Sequence, residues 1–499
     1  MTLGPVRPGS SRSWWLREAL AHDPGQPCPP LGGSIEADVA IIGGGYTGLW
    51  TALRILEAAP LTRVVVLEQD ICGGGPSGRN GGFVTGCWDE LPTLIERGGP
   101  DRALAAALAT ADAVDEIGTW SDAHGIDTWY RKAGYLTASA SPAQDDSWHE
   151  SVEACRSVGM DSELIELNAD EVALRVRSPV FRAGVFMPGA ATVQPARLAR
   201  ALRRVALEGG VRIFEGTRVT ALDGSSPSIV GTWLAGERRR IGTAGRPVRV
   251  ETTSDAGVAE VAAERVVVAM NAWAAAWPWF APRIVTWSSY IVLTEPIPDR
   301  LADIGWTGGE GVCDARFTLH YLRTTPDGRI AIGGGGGGAG IGGRIGRSFT
   351  ADTGAAERAA AGLRRLFPSL ADVRIVDAWG GPIDISSDHQ PFFGTLPGGR
   401  VHFGLGYSGN GVAPSVVGGR ILAAMTLDRH DDPILDLPFV DARPRAFPPE
   451  PFRSVGARIF RDAVVRREMA EDEGRRPSRL SRALTRLPRR LGYHLGPSD

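Results

Sequence analysis

The sequence predicts a mixed α/β fold, and three separated stretches predict it. The first is Ala37 to Asp70, ADVAIIGGGYTGLWTALRILEAAPLTRVVVLEQD, where an apolar run (Val39 to Ile42) enters a glycine turn. A helix-like segment follows, and then a second apolar run ending on Glu68. The second stretch is Arg265 to Ala269, RVVVA, a short β-branched run of the kind buried on both faces of a sheet. The third is Val401 to Met425, VHFGLGYSGNGVAPSVVGGRILAAM, which again runs strand, glycine loop, helix.

Each part of the first stretch has a physical task in holding a dinucleotide, which makes the unit Rossmann-like. Gly43 allows the tight turn, Gly45 lets backbone come close to a pyrophosphate, and Gly48 lets the helix pack on the strand. The helix N-terminus offers unpaired N–H groups and the positive end of its dipole, beside Tyr46 and Thr47. Glu68 stands twenty residues after Gly48, where an acid binds ribose hydroxyls, with Gln69 next to it. The Val401 stretch is a second place where a helix N-terminus faces a ligand.

The remaining chain is read more coarsely. Residues 1–34 are rich in Pro and Gly and are expected to wrap the surface, anchored by Trp14 and Trp15. A glycine-rich loop, GGGPSGRNGG, fills Gly73 to Gly82. Residues 89–124 read as helical, Trp129 to Ala138 as short strands, Pro195 to Gly209 as helix and Val211 to Leu222 as strand. Trp273, Trp277, Trp279, Trp287 and Trp306 cluster; core packing is the plain explanation, and an aromatic wall for an amine is the functional one. The six glycines 333–338 read as a loop or strand end. Beyond residue 431 the chain turns Pro- and Arg-rich. There Leu480, Leu484, Leu487 and Leu491 fall on one helical face. Such a face covers an apolar patch of its own protein or, less expectedly, lies on a membrane surface.

Composition narrows the function classes. With 499 residues, 43% of them hydrophobic, the chain is long enough for two or three domains. A net charge of −3 gives no pull toward nucleic acid. No apolar run is long enough for a membrane span, and the N-terminus carries no apolar signal core. Cys28, Cys72, Cys87, Cys155 and Cys313 form no CxxC or Cys/His cluster. That pattern argues against a zinc site and a disulfide scaffold and suits a cytoplasmic protein.

Several motifs together resemble the FAD-dependent oxidoreductases of the D-amino-acid oxidase superfamily. They are ADVAIIGGGYTGL, the loop Ser77-Gly78-Arg79-Asn80-Gly81-Gly82, YLRTTPDGRIAIGG, WGGPIDISSDHQPFFG and GLGYSGNGV. The resemblance spans about Trp14 to Met425 and includes the γ-glutamylputrescine oxidoreductases and the glycine and sarcosine oxidases. It implies a Rossmann-like FAD-binding domain interleaved with an antiparallel-sheet substrate domain, as in glutathione-reductase-like and p-hydroxybenzoate-hydroxylase-like FAD folds. The implied division gives residues 35–88, 186–272 and 376–430 to FAD and residues 89–185 and 273–375 to substrate. Residues 431–499 form an extension. By resemblance, the Ser77 to Gly82 loop lies near the pyrophosphate and the flavin ring, and Val219 meets the adenine through its backbone. Gly406, Ser408, Gly409, Asn410, Gly411 and Val412 would face the flavin pyrimidine edge. A helix N-terminus there stabilises the charge of reduced flavin by about 1 kcal/mol. Rival flavoproteins fit less well. The partner cysteine of a redox dithiol is replaced by Ser77, five residues after Cys72, and the second flavin loop lacks a GD signature.

In that family the substrate C–N bond lies over the flavin, hydride passes from carbon to N5, and the resulting imine hydrolyses to a carbonyl. No catalytic residue is assigned from spacing, because the cofactor carries the chemistry. Substrate class is the informative question. Glycine-oxidase-like relatives hold a carboxylate with arginines at the positions of Ile383 and Gly409, and sarcosine-oxidase-like relatives use a lysine at that of Ala413. An arginine–carboxylate pair is strong and often bidentate, so its loss favours an amine over an amino acid. The alternatives are an oxidase or dehydrogenase of amino acids or N-methyl amino acids, with a clamp relocated to Arg316, Arg323 or Arg131, and a flavin-binding protein with lost catalysis. The resemblance implies non-covalent FAD: the cysteine by which sarcosine-oxidase-like relatives link it has no counterpart after Cys313, and no histidine between residues 70 and 90 matches the histidyl linkage of dimethylglycine-dehydrogenase relatives. The acceptor is oxygen or another oxidant; Lys132, the sole lysine, lies outside the region where relatives place one over the flavin.

Overall fold

The computed structural model describes residues 12–223, 246–334 and 337–494. The run Ile35–Ile42 forms strand β1, and Tyr46–Ala58 forms helix α1. Strand β2 is Val64–Leu67, and β3, Gly257–Val268, contains the RVVVA run. β1 lies between β2 and β3 and is parallel to both, with Val39 opposite Val64 and Ile42 opposite Val268. All four residues of β2 and the last four of β1 are buried, as expected of strands covered on both faces. The sheet extends through Arg212–Phe214 on one side and, on the other, through Val401–Leu405 and Phe392–Thr395.

A second eight-stranded sheet begins with β4, Val285–Thr294, paired antiparallel to β5, Ile375–Ile385. It continues through Ile330–Gly333, Tyr321–Thr324 and Gly311–Asp314 to Tyr135–Ala138, Gly184–Met187 and Ile165–Leu167. Its pairings are antiparallel except that of Gly311–Asp314 with Tyr135–Ala138. Two strands near the expected domain borders, Gly184–Met187 and β5, belong to this second sheet.

Local chemistry explains where the elements depart from the coarse reading. The 89–124 helix is two helices, Leu91–Gly98 and Pro100–Ala123, because Gly99 turns at φ 81° and Pro100 starts a new first turn. Gly216, at φ 64°, divides the 211–222 strand into Arg212–Phe214 and Arg218–Leu222. Between Trp129 and Ala138, only Tyr135–Ala138 forms a strand, and Trp129 itself has φ 54°. The N-terminal segment does more than wrap the surface. Ser13 Oγ caps a helix, Trp14–His22, and Trp15 is fully buried with its ring edge-on to Trp379 at 5.8 Å. In the glycine run 333–338, β-structure ends at Gly333, and residues 335 and 336 lie outside the described chain.

Helix α2, Pro414–Thr426, packs against α1 through Gly419, where a Cβ would stand 2.6 Å from that of Trp50. Beyond it come α3, Phe452–Asp472, and α4, Arg479–Arg490, which pack on each other. Among the described residues no helix is long and apolar enough to cross a membrane.

Candidate functional site

A cavity of about 960 Å³ runs between the two sheets. One end is formed by the carboxyl ends of the parallel strands, at Ile42, Leu67 and Ala269, where α/β sheets place their ligands. The other end is walled by β4 and β5, by Tyr135 and Tyr321, and by residues of the C-terminal extension.

Sixteen of the twenty residues singled out as cofactor-binding line this cavity: Gly43, Gly45, Tyr46, Thr47, Glu68, Gln69, Ser77, Arg79, Asn80, Gly81, Val219, Ser408, Gly409, Asn410, Gly411 and Val412. The other four, Gly48, Gly78, Gly82 and Gly406, lie just behind the lining. Each lets two backbones approach or turn. A Cβ on Gly48 would stand 2.0 Å from the carbonyl oxygen of Gly43, so only glycine lets α1 start there.

At the parallel-strand end the glycine turn is fastened from below. The Gly44 N–H donates to Glu68 Oε2 (2.8 Å) and the Asp70 N–H to Oε1 (2.9 Å). Burial pushes the Glu68 carboxyl up to about 7, and those two donors oppose the shift. Gly45 precedes α1 without a side-chain cap, and a Cβ on it would stand 2.9 Å from Ser77 Oγ, which accepts the Tyr46 N–H. A helix N-terminus that its N-cap glycine leaves uncapped, a backbone cradle that a Cβ would fill and an acid at ribose distance along the chain together fit the ADP half of FAD.

The Ser77 to Gly82 loop is held as firmly. Arg79 donates through Nε to the Gly74 carbonyl (2.7 Å) and through a terminal nitrogen to that of Gly380 (3.1 Å), while Trp379 Nε1 donates to the Arg79 carbonyl. Asn80 closes the turn by accepting the Gly82 N–H at 2.7 Å. Arg323 lies under this loop, fully buried, and donates to the carbonyls of Gly82 and Val193; desolvation lowers its pKa to about 9.

Two further groups escaped the sequence reading. Asp384, on β5, accepts the N–H of Gly406 at 2.6 Å and the amide of Asn271 at 2.6 Å, and burial raises its carboxyl to about 7. It thus fixes the start of the Gly406–Val412 loop. Asp89 and Glu90 line the cavity near that loop, where Thr85 Oγ1 donates to Asn410 Oδ1 (3.0 Å) and Gln390 donates to Glu90 Oε2 (2.9 Å). Asp89 lines the cavity with an exposed side chain, and Glu90 is half-buried. Desolvation raises both carboxyls, and repulsion by Asp89 adds to the shift of Glu90. Asp384 was within reach inside the PIDISSDHQP motif, but two adjacent acids carry no spacing signal.

The positions where the resemblance expects a carboxylate clamp are apolar. Ile383 and Gly409 face each other across the cavity wall, with Ile383 Cδ1 3.7 Å from where a Gly409 Cβ would stand, and Ala413 is buried at the start of α2. None of Arg131, Arg316 and Arg323 lines the cavity. Arg316 is paired with Asp472, and Arg131 donates to the Thr307 carbonyl. Lys132 is at the surface, 2.5 Å from Asp115, and it too is away from the cavity. Of the five clustered tryptophans, Trp273, Trp277 and Trp287 line the cavity, whereas Trp306 packs in the second sheet's core against Phe367.

A parallel dinucleotide unit and an antiparallel sheet sharing one cavity define the class: a flavin-dependent oxidoreductase. The chain belongs to the FAD dependent oxidoreductase family (DAO), whose model matches residues 38–425. It is 29% identical over 445 residues to a probable oxidoreductase, OrdL, of Rhizobium meliloti (strain 1021), covering 87% of this chain and 91% of that one. It is 28% identical over 403 residues to the gamma-glutamylputrescine oxidoreductase of Escherichia coli (strain K12), covering 80% and 85%. In fold it is similar to the glycine oxidase of Geobacillus kaustophilus, at TM-score 0.60 and 20% identity, covering 82% of this chain and 99% of that one. The protein is therefore an FAD-dependent oxidoreductase.

Proposed function

We propose that the protein oxidises a C–N bond of an amine lacking an α-carboxylate, with FAD held non-covalently, giving an imine that hydrolyses to a carbonyl. The observation that carries this reading is the charge of the cavity beyond the flavin loops. The acids Asp89 and Glu90 line it, and the positions where the resemblance expects a carboxylate clamp hold Ile383 and Gly409. The cavity's own arginines are committed or distant. Arg79 holds carbonyls, Arg453 is bound to Glu450 and the Ala281 carbonyl, and Arg218 lies at the Val219 end. Similarity to a gamma-glutamylputrescine oxidoreductase supports an amine.

When bound, FAD supplies the acceptor for two electrons. The chain's contribution is placement and charge. Asp89, raised to about 6, keeps its charge at neutral pH and draws the substrate ammonium from water, while Glu90, raised to about 8, stays largely protonated beside it. Thr85 and Asn410 hold the acidic segment against the flavin loop. Asp384 and Asn271 set that loop's backbone. Oxygen or another oxidant reoxidises the enzyme.

The test is product analysis with the double variant Asp89→Asn, Glu90→Gln as control. The native holoprotein releases a carbonyl product, trapped as a hydrazone, from at least one amine. The double variant keeps its flavin and shows KM raised about tenfold or more, the scale of a lost charge-assisted contact. A variant with unchanged KM contradicts the assignment of the two acids.

A further inference from the structure

The C-terminal hairpin lies outside residues 38–425, yet it lines the same cavity as the flavin loops. It is fastened on both sides of the opening. On the second-sheet side Glu468 accepts the Thr318 N–H at 2.9 Å and its hydroxyl, Asp472 pairs with Arg316 and Arg365, and Phe460 meets Phe317 edge-on at 5.2 Å. On the other side the Phe447 N–H donates to the Pro282 carbonyl (2.7 Å), and the His494 N–H donates to that of Ser387 (2.8 Å). The extension therefore straps across the cavity.

Three of the four leucines spaced along α4 and its end face the cavity, while Leu480 is exposed outside it. Ile459 and Phe460 of α3, Leu484 and Leu487 of α4 and Leu491 just beyond line the cavity with Phe317. Arg479, Arg482, Arg486 and Arg490 are exposed, and none of them lines it. Ile459, Leu487 and Leu491 remain 47–49% exposed despite facing the cavity. Apolar side chains scattered singly over a surface need no explanation, but six on one wall of a ligand cavity do.

We infer that the hairpin roofs an apolar subsite and that the oxidised amine carries a hydrophobic alkyl or aryl arm lying against Phe317, Phe460 and the leucine row. The inference rests on the amine reading above and adds the chemistry of the rest of the substrate. The acids hold the nitrogen end, and the roof holds the arm. Burying each methylene against such a wall tightens binding roughly three- to fourfold.

The experiment uses the full-length holoprotein and two homologous series. Primary n-alkylamines from two to eight carbons are scored by anaerobic flavin reduction. The matching n-alkanols, which offer no C–N bond, are scored by perturbation of the flavin spectrum. The expected result is half-saturation falling about threefold per methylene in both series, with the slope flattened in Phe460→Ser and in Leu487→Gln at full flavin content. Amines that reduce the flavin without chain-length dependence in either series overturn the subsite and leave the amine reading standing. Alkanols that bind with chain-length dependence while no amine reduces the flavin sustain the subsite and overturn the amine reading. The native protein's own slope decides the matter even if both variants fail to fold.

Discussion

Two carboxylates set by burial make the clearest residue-scale predictions. Glu68 holds the glycine turn through two N–H donors and faces the cavity where a ribose would lie. Glu68→Gln should weaken FAD binding about tenfold, equivalent to about 1.4 kcal/mol, read by flavin fluorescence on titrating apoprotein. Asp384 has a folded-state pKa near 7, above the unfolded value of about 3.9. The folded state thus binds this proton more tightly, and the stability it brings is complete below about pH 4 and lost as pH rises through about 7. In Asp384→Asn that loss disappears, so the Tm of the variant relative to native should climb between pH 5 and 8. A difference independent of pH would remove this account of Asp384. Residues whose task is backbone geometry were legible in the sequence: a Cβ on Gly43 or Gly48 would meet a backbone carbonyl, so the tight turn and the close helix start read from the motif are present in the structure. Asp384 with Asn271, 113 residues apart, was not, because their pairing exists only after the sheets meet.

At the scale of elements, turns were legible where glycine or proline made them and contacts were not. Gly99-Pro100 splits a helix and Gly216 splits a strand for reasons present in the sequence, although the coarse reading passed over both. The leucine spacing of α4 announced an amphipathic helix. The surface it covers depends on how α3 is pinned, and that is tertiary. Asp472, between Arg316 and Arg365, is the pin. Asp472→Asn leaves the two arginines only Asp314 to share and should loosen the hairpin by about 1–3 kcal/mol. Limited proteolysis should then cleave within residues 452–494 at least several times faster, with the flavin still bound. Gly48→Ala acts on a different element. Its Cβ collides with the Gly43 carbonyl, and the variant should be recovered flavin-free or insoluble.

For the whole molecule, the two sheets place a dinucleotide cradle and an acidic, aromatic chamber at opposite ends of one cavity. The family resemblance was carried by five motifs that converge on that cavity. The substrate end holds only part of one motif, on β5, and is otherwise assembled from β4, the Asp89 segment and the C-terminal hairpin. Ile383 and Gly409 were nonetheless visible as missing arginines, and the structure adds that no other arginine takes their place in the described cavity. The claim that this cavity takes amines is tested most directly by anaerobic absorbance of the purified holoprotein, mixed in parallel with primary alkylamines and with glycine, sarcosine and D-alanine. The account predicts bleaching of the flavin band by an amine and no bleaching by the three amino acids. Bleaching by the amino acids alone would contradict it.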